Sequence, residues 1–109
     1  MNTLIFPRIQ CNDGFTMSVQ ARQFCYCEPR NDEGPWTEVE VGFPSEKEEL
    51  LMEWVEDETN PTDTVYGWVP IEVINEVIAK HGGTNEDGAA VLNAIINGGA
   101  FLDRFRVYR

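Results

Sequence analysis

The spacing of apolar residues changes once along this chain, close to Pro44 and Ser45. Before that point apolar and polar residues alternate, most clearly in residues 15–21 and 37–43, and alternation places the apolar side chains on one face of a strand. After it, apolar residues recur at steps of three and four, which is typical of helices that pack by one stripe. The two spacings together predict an α+β fold.

Three strands are predicted in the first part of the chain. Residues 4–10 and 15–21 flank the pair Asp13-Gly14, and Asp-Gly between two apolar runs is a strong signal for a hairpin. Together with residues 37–43, these runs predict a three-stranded antiparallel meander.

A fourth strand is predicted at the end of the sequence, in residues 100–109, and it is expected to return to the same sheet. Arg104 and Arg106 alternate there with apolar residues, as Glu38 and Glu40 do in the third strand. If the two strands are neighbours, these opposite charges face each other in cross-strand pairs. The alternative places the last strand beside the N-terminal hairpin.

Three helices are predicted to pack on one face of the sheet. The first begins at the capping box formed by Ser45 and Glu48, and the second begins near Pro70, which suits a first helical turn. The third begins near residues 84–87, while residues 64–69 fit either a short strand or an extended segment. The residues that these helices are expected to bury are Leu50, Leu51, Trp54, Val55, Ile71, Ile74, Val77, Ile78, Val91, Leu92, Ile95 and Ile96.

The length and apolar content fit one compact domain over residues 1–109. No stretch approaches the roughly 20 apolar residues that a membrane span needs. Residues 1–10 also lack the long apolar run of a signal peptide. We therefore expect a cytoplasmic protein, whose three cysteines are free thiols in a reducing compartment.

The whole net charge of -11 lies in residues 28–63, which hold thirteen acids against Arg30 and Lys47. Direct binding to nucleic acid is disfavoured, because phosphate contacts require clustered lysines and arginines. The converse expectation is a partner protein with a basic surface, such as a nucleic-acid-binding protein.

The acidic side chains of the first predicted helix and of the loop after it are the expected partner-binding surface. A small single domain with a concentrated acidic segment and no catalytic set is similar, in these bulk properties, to inhibitors encoded by phages or mobile elements, such as anti-CRISPR or anti-restriction factors. That resemblance implies a non-enzymatic protein whose carboxylates compete with phosphate for a basic partner. The residues assigned to this surface are Glu46, Glu49, Glu53, Glu56, Asp57, Glu58 and Asp63.

The loop between the second and third predicted strands is a second candidate for recognition. It contains tyrosine, arginine and tryptophan, which are enriched at binding sites. The alternative is a hairpin loop that is ordered only by proline and Asx turns. The candidate residues are Tyr26, Arg30, Asn31, Asp32 and Trp36.

The cysteines and the single histidine indicate little chemistry. Cys11, Cys25, Cys27 and His81 are sufficient in number for a Cys₃His zinc set, but the closely spaced Cys-x₂-Cys pairs typical of such sites are missing. We therefore expect no metal and no cofactor. Nothing places His81 beside a thiol that it could activate, so no catalytic residue is predicted. His81 is expected instead to complement the dipole at a helix C-terminus.

Two other functions remain open at this level. One is a small-molecule-binding domain or minor enzyme with a site around Tyr26, Cys27, Arg30 and His81. The other is an acidic accessory domain without a single site. A pocket at which Arg30 and His81 converge favours the first, whereas an exposed acidic ridge favours docking on a basic partner.

Overall fold

Six strands, two α-helices and two 3₁₀ helices make up the regular structure of residues 2–108, the part of the chain that the computed structural model describes. The strands are β1 (Asn2–Leu4), β2 (Ile9–Gln10), β3 (Thr16–Gln20), β4 (Glu38–Gly42), β5 (Val65–Pro70) and β6 (Arg106–Tyr108). The helices are α1 (Ile71–Lys80) and α2 (Glu86–Asn97), with 3₁₀ helices at Glu49–Trp54 and Gly99–Phe105. The fold is α+β, as the two apolar spacings predict.

The main sheet is antiparallel and has the strand order β2-β3-β4-β5. The predicted meander is therefore present, and residues 65–70 extend it as a fourth strand rather than as a lead-in to the helix. Val19 lies opposite Val41, and Val39 lies opposite Val69. All four valines are fully buried, so the alternation in sequence does place the apolar set on the inner face.

The last strand does not return to this sheet. It pairs instead with β1 in a separate two-stranded sheet, with Arg106 opposite Leu4. Both edges of β4 are already hydrogen-bonded, to β3 and β5, so β4 has no free edge for a further strand. The expected pairing of Glu40 with Arg106 is therefore wrong. Glu40 lies opposite Gln20, and the Arg106 side chain lies 3.7 Å from Glu33.

The first predicted helix is a short 3₁₀ helix, and the predicted capping box does not form. The Ser45 hydroxyl accepts a hydrogen bond from the Thr16 amide at 2.9 Å, so this residue is tied to β3. Glu48 takes the cap position itself and accepts from the Leu50 amide at 2.9 Å. A 3₁₀ helix repeats every three residues, which aligns Leu51, fully buried, with the half-buried Trp54. Leu50 is 36% exposed, so the prediction that it is buried is wrong.

The two α-helices cover the inner face of the sheet. The four apolar residues predicted for α1 are all buried. The helix ends at Lys80, and the chain turns away at Gly82, whose φ of 84° favours glycine. In α2, Val91 and Ile95 are buried as expected, but Ile96 is exposed and that part of the prediction is wrong. The radius of gyration is 13.0 Å, which matches a single compact unit of this length. Within residues 2–108, no helix has the length and apolarity that crossing a membrane requires.

Candidate functional site

The carboxylates of residues 46–63, here called the acidic segment, lie mostly on the surface. All seven acids predicted to bind a partner are exposed, and the segment contains a single basic residue, Lys47, which lies 3.2 Å from Glu49. In the loop, Asp57 accepts hydrogen bonds from the Asn60 side chain and the Thr59 amide. These bonds lower the pKa of Asp57, so that its carboxylate stays ionised.

An open groove of about 320 Å³ lies at the acidic segment, and we call it the aromatic groove. It is lined by Tyr26, Trp54, Glu56, Gly67 and Trp68. The Tyr26 and Trp68 rings stack with their centroids 5.0 Å apart and their planes 29° apart. Although large and apolar, Trp68 is 43% exposed and Tyr26 is 37% exposed. The groove is therefore a concave surface with accessible aromatic faces.

A β-bulge in β5 turns Trp68 outward into the groove. The pairing of β4 with β5 shifts between Val39 and Val41, so that Gly67 and Trp68 together lie opposite the single residue Glu40. Such bulges redirect side chains and are over-represented beside functional sites. Trp68 also has a φ of 55°, a left-handed conformation that costs a bulky residue about 1–3 kcal/mol.

Close backbone approach brings Tyr26 over this bulge. A Cβ atom on Gly67 would lie 3.2 Å from the Cβ atom of Tyr26, tighter than most real contacts, so glycine allows the approach. The Trp68 amide donates to the Tyr26 carbonyl at 2.9 Å. The Tyr26 amide in turn donates to the Glu40 carboxylate at 3.1 Å. Glu40, which faces the bulge across the sheet, thus fixes the loop that carries Tyr26.

Glu56 is placed in the groove by the chain that follows the first 3₁₀ helix. Its amide donates to the Val65 carbonyl at 3.1 Å, so this chain runs alongside the start of β5. The half-buried Trp54 comes from the end of the same helix. On the other side, the Arg30 guanidinium carbon lies 5.9 Å from the centroid of the Tyr26 ring, within cation–π range.

The predicted loop candidates are only partly brought together. Tyr26 lines the groove and Arg30 lies over the Tyr26 ring, whereas the side chains of Asn31 and Asp32 shape the loop itself. Asn31 accepts from the Gly34 amide at 2.9 Å, and Asp32 accepts from the Gln23 amide at 2.9 Å. Trp36 is only 2% exposed and packs edge-on against Phe6 in the core, so it offers no contact to a partner.

The cysteines are buried and lack the features of a nucleophile. The Cys27 thiol donates to the Arg22 carbonyl at 3.2 Å, and burial raises its pKa. Burial also raises the pKa of Cys11, and it raises that of Cys25 to about 11. Thiols of this kind are protonated and inert near neutral pH. Among residues 2–108, no group of three or more His, Cys, Asp and Glu side chains is arranged to hold a metal ion.

His81 is the centre of a charge cluster that the sequence patterns did not reveal, in which His81 and Glu48 are buried and Asp13 and Lys80 are exposed. Its Nδ1 lies 2.6 Å from Asp13, and its Nε2 lies 2.6 Å from Glu48. The second oxygen of Glu48 accepts from the Lys80 ammonium at 2.8 Å. Phe15 stacks on the imidazole with centroids 4.2 Å apart. The exposed fraction is 6% for His81 and 1% for Glu48.

This charge cluster joins the turn after β2, the start of the first 3₁₀ helix and the end of α1, and it engages both nitrogens of the His81 imidazole. Burial alone would lower the pKa of His81, but the hydrogen bonds that its imidazole donates to Glu48 and Asp13 outweigh it and raise the pKa above 6.5. Burial likewise opposes ionisation of Glu48, yet the bonds from Lys80, Leu50 and His81 lower its pKa below 4.5. Both imidazole nitrogens contact carboxylates, so His81 links Asp13 and Glu48 and has no free nitrogen with which to accept a proton from a substrate.

The charge cluster predicts a stability maximum in mildly acidic solution. Because the pKa of His81 is higher in the folded state, protonated His81 stabilises the fold fully below pH 6.5. This stabilisation is lost as the pH rises through the folded-state pKa of His81. Because the pKa values of Glu48 and Asp13 are lower in the folded state, the two ionised carboxylates stabilise the fold fully above pH 4.5. This stabilisation is lost as the pH falls through their folded-state pKa values. We expect the melting temperature to be highest between about pH 5 and pH 6.5.

Because His81 is the single histidine of the chain, its imidazole resonance can be titrated directly by NMR. The expected midpoint lies above 6.5, and a midpoint at or below 6.5 would contradict the cluster. The His81→Gln variant is the control, since it should lose the decline in melting temperature on the alkaline side.

His81 lies far in sequence from both of its carboxylate partners, and its contacts belong to the charge cluster rather than to the aromatic groove. The set Tyr26, Cys27, Arg30 and His81 therefore does not form one pocket.

Two surface features remain as candidates for a binding function: the exposed carboxylates of the acidic segment and the aromatic groove beside them. Comparison of the chain with protein-family models, with curated proteins and with solved structures gives no significant match.

Proposed function

We propose that this protein is a non-enzymatic binding protein that docks its acidic segment on the basic surface of another protein, such as a nucleic-acid-binding protein. The observation that carries this proposal is the exposure of seven carboxylates along residues 46–63 with only Lys47 as a basic residue in that segment. Unneutralised charges of one sign attract a partner of the opposite sign.

The mechanism is electrostatic competition. A basic surface that binds phosphates through lysine and arginine presents the same donors to exposed carboxylates. Such charges act mainly on the rate of association and lose their range in salt, because the screening length is about 8 Å at physiological ionic strength. An inhibitor of this kind occupies the phosphate-binding surface of its partner and so excludes nucleic acid from it.

Two cationic side chains outside the acidic segment, His81 and Arg106, are engaged by contacts within the protein, and this supports a binding role over a catalytic one. His81 is held by two carboxylates, and the cysteine thiols are buried and protonated. Arg106 lies near Glu33 and donates to the Asp32 carbonyl at 3.1 Å. The seven carboxylates assigned to the partner-binding surface differ from these groups because they face solvent.

Reversing charges in the acidic segment should weaken partner binding far more than reversing the same number elsewhere. The test variant is Glu53→Lys with Glu58→Lys, two exposed residues of the segment. The matched control is Glu86→Lys with Asp87→Lys at the start of α2, which changes the net charge equally. We expect the association rate with a captured partner to fall by about tenfold or more at low salt for the first variant only.

The measurement is affinity capture from a cell lysate at low and high salt, followed by binding kinetics with the purified partner. The difference between the two variants should shrink as salt rises. Equal losses from both would remove the acidic segment from the interface.

A further inference from the structure

The docking proposal leaves open what the aromatic groove contributes. We propose that this groove binds the guanidinium group of one arginine side chain on the basic partner. This inference rests on the proposed function, because it assigns one contact within the same interface. It concerns Tyr26, Trp54, Glu56 and Trp68, and it does not depend on the other carboxylates of the acidic segment.

The chemistry of the lining suits a cation. Aromatic faces attract a positive charge through their quadrupoles, and tryptophan does so most strongly. The groove offers three aromatic residues, and Glu56 adds a carboxylate at the same place. An apolar partner side chain would leave Glu56 desolvated without a counter-charge, which is costly.

The shape of the lining favours arginine over lysine. The Tyr26 and Trp68 rings form a nearly parallel stack, 29° apart, which presents flat surfaces rather than a closed box. A planar guanidinium stacks on such a surface while its N–H groups reach a carboxylate, whereas an ammonium is a compact and strongly hydrated point charge. The chain itself already holds Arg30 over the Tyr26 ring at 5.9 Å. A guanidinium group is thus already accommodated over one ring of the pair, that of Tyr26.

The aromatic side chains of the groove are also preorganised before any partner binds. The bulge at Gly67 and Trp68 holds the Trp68 side chain outward in a left-handed conformation, and Glu40 fixes the backbone of Tyr26. Strained residues persist where the surrounding structure imposes them, and they are concentrated at ligand-binding positions. Because the rings are already ordered, little further ordering cost opposes binding.

The test uses three blocked tripeptides, Gly-Arg-Gly, Gly-Lys-Gly and the analogue with citrulline, which is the neutral isostere of arginine. Binding is followed by NMR through the indole N–H signals of Trp54 and Trp68, with the buried Trp36 as an internal reference. We expect saturable shifts with the arginine peptide, on the order of tenfold weaker binding of the lysine peptide, and no binding of the citrulline peptide.

Two variants test the lining directly. Glu56→Gln should weaken binding of the arginine peptide by about tenfold. Trp68→Gly should abolish it without straining the backbone, because a φ of 55° suits glycine. The control is Glu76→Gln, an exposed carboxylate on α1 outside the groove, which should bind the peptide like the original protein.

Equal responses to arginine and citrulline would overturn the assignment, and so would tighter binding of the lysine peptide. This failure is distinguishable from failure of the docking proposal. If the arginine peptide binds as expected but reversal of Glu53 and Glu58 leaves partner capture unchanged, the acidic segment is excluded and the groove is retained. If the reversal weakens capture but the arginine and citrulline peptides behave alike, docking is retained and the groove is excluded.

Discussion

Replacing Glu48 with alanine is expected to lower the free energy of unfolding by about 3–5 kcal/mol. Glu48 is 1% exposed and bonds to the His81 imidazole, the Lys80 ammonium and the Leu50 amide. Its loss leaves the buried His81 with Asp13 as its one remaining carboxylate. Removing one member of a buried ion pair is costly because the other keeps its desolvation penalty without the compensating attraction.

The prediction is checked by urea unfolding near pH 6, where the charge cluster contributes fully. The control is Glu49→Ala, whose carboxylate lies on the surface 3.2 Å from Lys47, and its loss should change the free energy by less than about 0.5 kcal/mol. Glu48→Gln keeps the shape of the side chain and should lie between the two. A cost for Glu48→Ala as small as that for Glu49→Ala would show that the cluster does not stabilise the fold.

Replacing Trp36 with alanine is expected to cost about 3–5 kcal/mol of stability, although its loop position in the sequence indicates a recognition residue. The side chain is 2% exposed and packs edge-on against Phe6, and its backbone amide donates to the Ile95 carbonyl at 3.0 Å. Truncation would leave a cavity at the centre of the fold, which the surrounding residues cannot fill completely.

The comparison is with Trp68→Gly, which removes an exposed ring and relieves a left-handed backbone, and which should change stability by less than about 1 kcal/mol. Trp36→Phe should cost less than Trp36→Ala, because it keeps an aromatic ring at this position and the indole Nε1 has no hydrogen-bond partner to lose among residues 2–108. Denaturation followed by circular dichroism gives all three values. Equal costs for Trp36→Ala and Trp68→Gly would contradict the buried placement of Trp36.

The elements that follow from the sequence are those whose signals are local. The alternation in residues 15–21 and 37–43 predicted β3 and β4, because strand geometry alone assigns alternate side chains to one face. The helical spacing after Pro70 predicted α1 together with all four of its buried residues. The exposure of the seven carboxylates assigned to the partner-binding surface also follows, because so many charges cannot be buried without partners.

The features that required the tertiary structure are those that depend on distant partners. Ser45 does not cap a helix because Thr16 occupies its hydroxyl, and β6 joins β1 because β4 has no free edge. Glu48 was predicted as the second residue of a capping box, and only the fold brought its carboxylate to His81.

The aromatic groove also combines features that the sequence determines with features that depend on the tertiary structure. The sequence by itself determined that Tyr26, Trp54, Glu56 and Trp68 are present, but their spacing carries no sign of a common site. The tertiary structure decided that the bulge opposite Glu40 turns Trp68 outward and lets Tyr26 stack on it. Local patterns record the period of a strand or helix, whereas contacts between distant residues arise only when whole elements pack together.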